Sequence, residues 1–170
     1  MKVKVIVGIV CALCTGVFAQ ISDVGAPDSS SKADKRVRRA LESAGLKYRV
    51  NDYGNFCLHF TLKGGRTHLV VVNSETERYE GLELRRVWAI GFATGEAISE
   101  NNLQVLLERN GRYKLGAWNL QKQRRTGKWY AEFRVIVPAD CPASELRSII
   151  ELTADVADAV EKASTGADEF

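Results

Sequence analysis

The sequence predicts an α+β domain: a largely antiparallel sheet of five or six strands with helices packed on one face, in the order α-β-β-β-α-β-β-α with room for an extra short strand. Three observations carry that prediction. Apolar residues recur at helical spacing around Val37, Leu103 and Ile150, whereas the stretches around Leu58, Val71, Trp88, Trp118 and Val135 read as strands. Two pairs of these strands are separated by short loops carrying glycine, the layout of hairpins. The strand clusters are divided by helices without regular βαβ alternation, which argues against a doubly wound sheet.

The elements follow in chain order. Residues 1–19 carry Lys2 and Lys4, an apolar run from Val5 to Val17 broken by Gly8, Thr15 and Gly16, and then Phe18 and Ala19. That is the layout of a secretory signal, with cleavage expected after Ala19. The run falls short of the ~20 apolar residues that cross a bilayer, so no membrane span is expected once the signal is removed. Val10 before Cys11 and Leu13 before Cys14 do not fit a lipoprotein site. The expected location is therefore outside the cytoplasm, periplasmic or secreted. Residues 20–32, with Pro27 and three consecutive serines, read as a flexible linker, and a single domain is expected over 33–163.

Within that domain Val37, Ala40, Leu41 and Ala44 form the apolar stripe of a first helix, stopped by Gly45. The period then changes to two. Phe56, Leu58, Phe60 and Leu62 alternate with Cys57, His59 and Thr61 ahead of Gly64-Gly65. A two-residue turn there sets Lys63 opposite Arg66, Thr61 opposite His68 and His59 opposite Val70. In that register one face of the hairpin is apolar and lies under helices, and the other carries Cys57, His59, Thr61, His68, Val70 and Val72. Asn73 to Gly81 reads as a polar loop before a strand from Leu82 to about Phe92. Ser99 and Glu100 open a second helix burying Leu103, Leu106 and Leu107. A second hairpin follows, Tyr113 to Leu120 and Trp129 to Val137, across a basic loop. Pro138 and Pro142 frame a last helix with Leu146, Ile149, Ile150, Val156 and Val160 as its stripe. Residues 164–170 lack periodicity and are expected to be mobile.

Charge excludes one class of partner. Of 24 lysines and arginines, two leave with the signal; the remaining 22 stand against 21 acidic residues, a net charge of +1. Nucleic-acid binders need a clustered positive face. The basic cluster Lys122, Arg124, Arg125 and Lys128 flanks Gly127 in the second hairpin and reads as a solvated turn.

The segment Glu108 to Leu120 (Glu-Arg-Asn-Gly-Arg-Tyr-Lys-Leu-Gly-Ala-Trp-Asn-Leu), with Trp129 to Asp140 (Trp-Tyr-Ala-Glu-Phe-Arg-Val-Ile-Val-Pro-Ala-Asp), resembles the YbjN-domain family. The resemblance runs from Asp34 to about Glu161. It implies the fold of type III secretion chaperones, a sensory or regulatory role, and recognition of a protein partner, with a homodimer as one form this can take. Its matching pieces, Leu115-Gly116-Ala117-Trp118, the Trp88 strand and Val135 to Asp140, are structural and bring no nucleophile or ligand set. The leader and Cys141 depart from the family pattern.

Chemistry-bearing residues are few. His59 and His68 are the only histidines, and the expected register sets them diagonally on one face beside Cys57. Two histidines seldom complete a metal site, so no metal and no cofactor is expected. A hydrolase or redox enzyme built on Cys141, or on the His59 and His68 pair, is the rival reading. Cys141 stands just before a helix, where the N-terminal dipole can lower a thiol pKa. No serine-hydrolase elbow, phosphate loop or dinucleotide fingerprint is present. Glu75, Glu77 and Glu80 lack the calcium-loop pattern. Cys57 and Cys141 are expected on opposite sides of the sheet, too far apart for a disulfide. Either Arg85 or Arg86 must share a face with Trp88, a pairing typical of interface patches. The sequence thus points to a non-enzymatic exported binding or regulatory domain, with candidate partner contacts at His59, Thr61, His68, Val70, Val72, Arg86 and Trp88.

Overall fold

The computed structural model describes residues 32–170, so the expected signal and all but the last residue of the expected linker lie outside the described part. Asp34 caps the first helix, accepting the Arg36 amide at 2.7 Å. That helix, α1 (Lys35–Ser43), buries Val37 and Leu41, and Gly45 beyond it takes φ +68°, the left-handed turn expected of it. Then come β1 (Arg49–Val50), β2 (Phe56–Thr61), β3 (Thr67–Tyr79), β4 (Leu82–Thr94), α2 (Glu100–Asn110), β5 (Ala117–Lys122), β6 (Trp129–Pro138) and α3 (Ala143–Ser164). The fold class is as expected. Six strands form one sheet in the order β1-β2-β3-β4-β6-β5, and every neighbouring pair is antiparallel.

The β2–β3 hairpin departs from the expected register by one residue. Thr61 pairs with Thr67, Phe60 with His68, His59 with Leu69 and Leu58 with Val70. The cause is the loop. Leu62 NH reaches Arg66 O at 2.7 Å and Gly65 NH reaches Leu62 O at 3.2 Å, with Gly64 and Gly65 both at positive φ. Three residues, Lys63 to Gly65, therefore make the turn instead of two. An odd loop reverses the phase of the second strand, and every β3 side chain changes face. His68, Val70 and Val72, expected on the open side, are fully buried under the helices, while Leu69 and Val71 take the other face with His59.

β3 also continues where a loop was expected. Thr76, Glu77, Arg78 and Tyr79 pair with Arg85, Leu84, Glu83 and Leu82 after a register shift between Val72 and Thr76. This ribbon is polar on both sides, so alternation gives no apolar signal; cross-strand bonds such as Thr76 Oγ1 to Glu83 at 2.8 Å define it instead. Glu75 and Glu77 accordingly sit on a strand. β5 starts at Ala117, and Tyr113, expected within it, packs edge-on against the Phe133 ring at 5.0 Å. Leu107, expected in the core, is 70 % exposed; of α2's residues only Leu106 is buried.

α1 and α3 cover one face of the sheet. Their buried side chains, with Phe56, Leu58, Val70, Val72, Val87, Phe133 and Val135 from the strands, make one core. Each large apolar side chain there contributes about 1.5–3 kcal/mol. Trp118 joins it from β5, its ring lying where a Cβ on Gly91 would sit (2.5 Å), so only glycine fits that β4 position. Leu146, Ile150, Val156 and Val160 are buried as expected. From the tail, Asp168 accepts the Thr67 amide at 3.0 Å and Glu169 NH donates to Glu161 at 2.6 Å. Among the described residues, no helix is long and apolar enough to cross a membrane.

The corrected phase has a direct test. Val70→Glu places a carboxylate in a fully buried position and should destabilise the domain by about 3–5 kcal/mol, whereas Leu69→Glu on the opposite face should melt within a few degrees of the natural protein. Thermal unfolding of both variants decides it; equal destabilisation, or the reverse order, contradicts the three-residue turn.

Candidate functional site: the open face of the sheet

The face without helices is assembled by alternation from five strands. β2 contributes Cys57, His59 and Thr61, and β3 contributes Leu69, Val71 and Asn73. β4 contributes Arg86, Trp88 and Ile90, β6 contributes Glu132, Arg134 and Ile136, and β5 contributes Asn119 and Gln121. Trp88 lies between Val71 and Arg134 in the ladder, and its indole NH donates to Asn73 Oδ1 at 2.8 Å. The ring is thereby fixed and half-buried, and Val71 beneath this layer is only 3 % exposed. Arg134 donates to Glu132 at 2.6 Å and to Gln121 at 3.2 Å, and Arg86 pairs with Glu77. Ile136, opposite Arg86, stands 53 % exposed. An indole, two paired arginines and an exposed isoleucine on a rigid sheet offer flat apolar and charge-assisted contacts.

Of the expected partner contacts, His59, Thr61, Arg86 and Trp88 share this face, and His68, Val70 and Val72 do not. Leu69, Arg134 and Ile136 take their place. The histidines are separated by the same phase change: His59 is exposed on the open face and His68 is buried on the other. They cannot converge on one ion with Cys57.

What aims Arg86 and Trp88 outward is the placement of Arg85. On the covered side of β4, Arg85 is 2 % exposed and donates to the Asn73 carbonyl, to Ser74 O at 2.7 Å and to Asp34 Oδ2 at 2.5 Å. Asn73 and Ser74 sit in the register shift of β3, where the ladder leaves carbonyls for another donor. Arg36 completes the network, holding Asp34 at 2.8 Å and Glu83 at 2.8 Å. Burial pushes the Asp34 carboxyl up, but the hydrogen bonds from Arg36 and Arg85 outweigh it and hold the group well below the usual carboxylate range. Glu83 is lowered to about 2 by the hydrogen bonds from Arg36 and Thr76.

Cys141 is not an activated thiol. It precedes Pro142, the cap residue of α3, and burial pushes its pKa up, with Glu145 and Asp140 adding to the effect. Burial, with the two carboxylates adding to it, thus outweighs the lowering expected from the helix dipole. It lines a small cleft with Arg36, Arg39, Arg85 and Asp140, and neither histidine reaches it. No disulfide joins Cys57 and Cys141.

These features define an α+β protein with a one-sided antiparallel sheet and an uncovered mixed face. Its fold is YbjN-like: the solved structure of YbjN from E. coli, described as a proposed transcription regulator, superposes with a TM-score of 0.51 over 76 % of this chain and 90 % of that one, at 9 % identity. No family model and no curated protein matches the sequence.

The acid response follows from the Arg85 network. Asp34 and Glu83 both titrate below their unfolded values of about 4, so the stability they contribute is present above that pH and is lost as pH falls toward about 2. Asp34→Asn should lower stability at pH 7 by about 1–2 kcal/mol, moderated by the partly exposed Arg36 partner, and should flatten the stability profile between pH 4 and 2. Denaturant unfolding across that window checks this; parallel profiles for the two proteins would remove Asp34 from the account.

Proposed function

We propose that this chain is a non-enzymatic, exported binding domain that recognises a protein partner, chaperone-like or regulatory, through the open face of its sheet. The observation that carries the reading is the one-sided covering: helices bury one face, while the other keeps Trp88 locked by Asn73, Arg86 and Arg134 in ion pairs, and Ile136 half in solvent. Locked aromatic and arginine side chains lose little conformational freedom on binding, which suits a contact surface. Export is supported by the leader's charge and apolar run. The YbjN-like fold is compatible with a regulatory role, and a second copy of this chain is one partner the face could take. The enzyme alternative is disfavoured because burial and two carboxylates push the Cys141 thiol up and the histidines lie on opposite faces.

The experiment is site-specific photo-crosslinking from position 59, exposed on the same face, in protein expressed in its native host, with the captured species identified by mass and the free protein sized by light scattering. Ile136→Glu and Trp88→Ala, both expected to fold, should reduce partner capture at least about tenfold, as loss of a central aromatic or apolar contact does. Leu107→Glu, on α2 and equally solvent-facing, should leave capture intact. Capture that survives Ile136→Glu and is lost in Leu107→Glu would move the interface to α2 and refute the open-face reading.

A further inference from the structure

On the helix-covered side, under the last turns of α3, three side chains that can ligate a metal converge. His68 comes from β3, and Asp158 and Glu161 come from α3, with one ligand-capable atom of each within 4.8 Å of the others. The sequence dictates this meeting. Asp158 and Glu161 are three apart and share one helix face, and the three-residue β2–β3 turn rotates His68 beneath them.

His68 and Glu161 are both 0 % exposed. Neither ring nitrogen of His68 has a hydrogen-bond partner among the described residues, although Nδ1 points into the cluster, 3.5 Å from Glu161 Oε2. A buried imidazole with two unused nitrogens is costly unless something engages it. The two carboxylates already draw a cation: Arg66, reaching in from the end of the hairpin loop, contacts Asp158 at 2.5 Å and Glu161 at 3.0 Å. Arg66 does not engage the imidazole.

We propose that His68, Asp158 and Glu161 form a binding site for a divalent transition-metal cation of the zinc class, with Arg66 as the competing cation. One imidazole and two carboxylates are a zinc-type donor set and neutralise a dication. Bond lengths of about 2.0–2.2 Å set tetrahedral ligand atoms about 3.4 Å apart; His68 Nδ1 and Glu161 Oε2 already stand 3.5 Å apart, and closing the set, whose atoms lie within 4.8 Å of one another, takes side-chain shifts of at most about 1.4 Å. Arg66 is the member free to leave: its side chain is 16 % exposed, and Asp168, fixed on the Thr67 amide beside it, offers another anionic partner. A bound ion would clamp the end of α3 to β3. The site lies on the opposite side of the sheet from the open face, so this proposal and the partner-binding reading stand or fall separately.

The test uses the full mature chain stripped with chelator and titrated with Zn²⁺ by calorimetry and with Co²⁺ by visible absorption, each variant first checked for cooperative melting. One equivalent should bind and raise the melting temperature. His68→Gln and Asp158→Asn should each weaken binding by at least about tenfold, no less than outer-shell losses do; Arg66→Ala should tighten it; His59→Gln, which removes the other histidine, should leave it unchanged. Should His68→Gln fail to fold, Asp158→Asn and Arg66→Ala still decide the matter. Failure of the natural protein to bind, even if Arg66→Ala gains affinity, overturns the proposal, and so does binding that survives both ligand substitutions or is lost with His59.

Discussion

A buried guanidinium fixes the geometry on which the rest of this domain depends. Arg85 occupies a position on the covered face of β4 that simple patterning would give to an apolar residue, and it bonds two other elements at once: β3 through the carbonyls of Asn73 and Ser74, and the first helix through Asp34. The carbonyls belong to the irregular stretch of β3 between Val72 and Thr76, and Asp34 is the residue whose side chain caps α1. Ser74 closes the circuit by accepting the Asp34 amide at 3.0 Å and donating to Gly54 O at 2.5 Å. Asp34→Asn keeps an acceptor for the guanidinium, whereas removing the guanidinium itself leaves Asp34 and two carbonyls without their donor and, as for other buried pairs, costs about 3–5 kcal/mol, a large share of the ~5–15 kcal/mol that holds a domain folded.

The open face follows from that placement. With Arg85 turned toward α1, strand alternation sends Arg86 and Trp88 the other way, and Val87 and Ala89 back into the core. α1 and α3 supply apolar surface for one side only, so the central strands are buried on the other side largely by their own long side chains, Trp88 and Arg134 among them. This layer is ordered by Asn73 and Glu132 without becoming a core. An uncovered face of that composition is compatible with association.

Much of the architecture was legible in the sequence. The stripe at Val37 and Leu41, the Ser99 cap, the strand at Trp129 and the stripe from Leu146 to Val160 each give one unambiguous period. The phase of β3 was not legible, because Leu69, Val70, Val71 and Val72 are all apolar and offer no alternation to choose between faces. Gly64-Gly65 is equally compatible with a two-residue or a three-residue turn, and the difference moves His68, Val70 and Val72 from the surface to the core. The polar half of β3 leaves no trace in the sequence, since a ribbon solvated on both sides has no hydrophobic signature. Arg85 and Arg86 are adjacent and chemically identical, so only the three-dimensional position of Asp34 distinguishes the buried one. Asp158 and Glu161 at helical spacing were a usable signal for a polar cluster on α3, but their partners came from a strand whose face was still undetermined.

Residue-resolved amide hydrogen exchange on Arg85→Met tests most directly whether this network sets the geometry. If Arg85 joins the β3 irregularity to α1, protection should fall together at Ser74 to Thr76 and in the first turn of α1, while the β5–β6 pair, remote from the network, keeps its natural protection. If α1 and the β3 irregularity keep their protection, or if only one of them responds, the guanidinium is not the link between them.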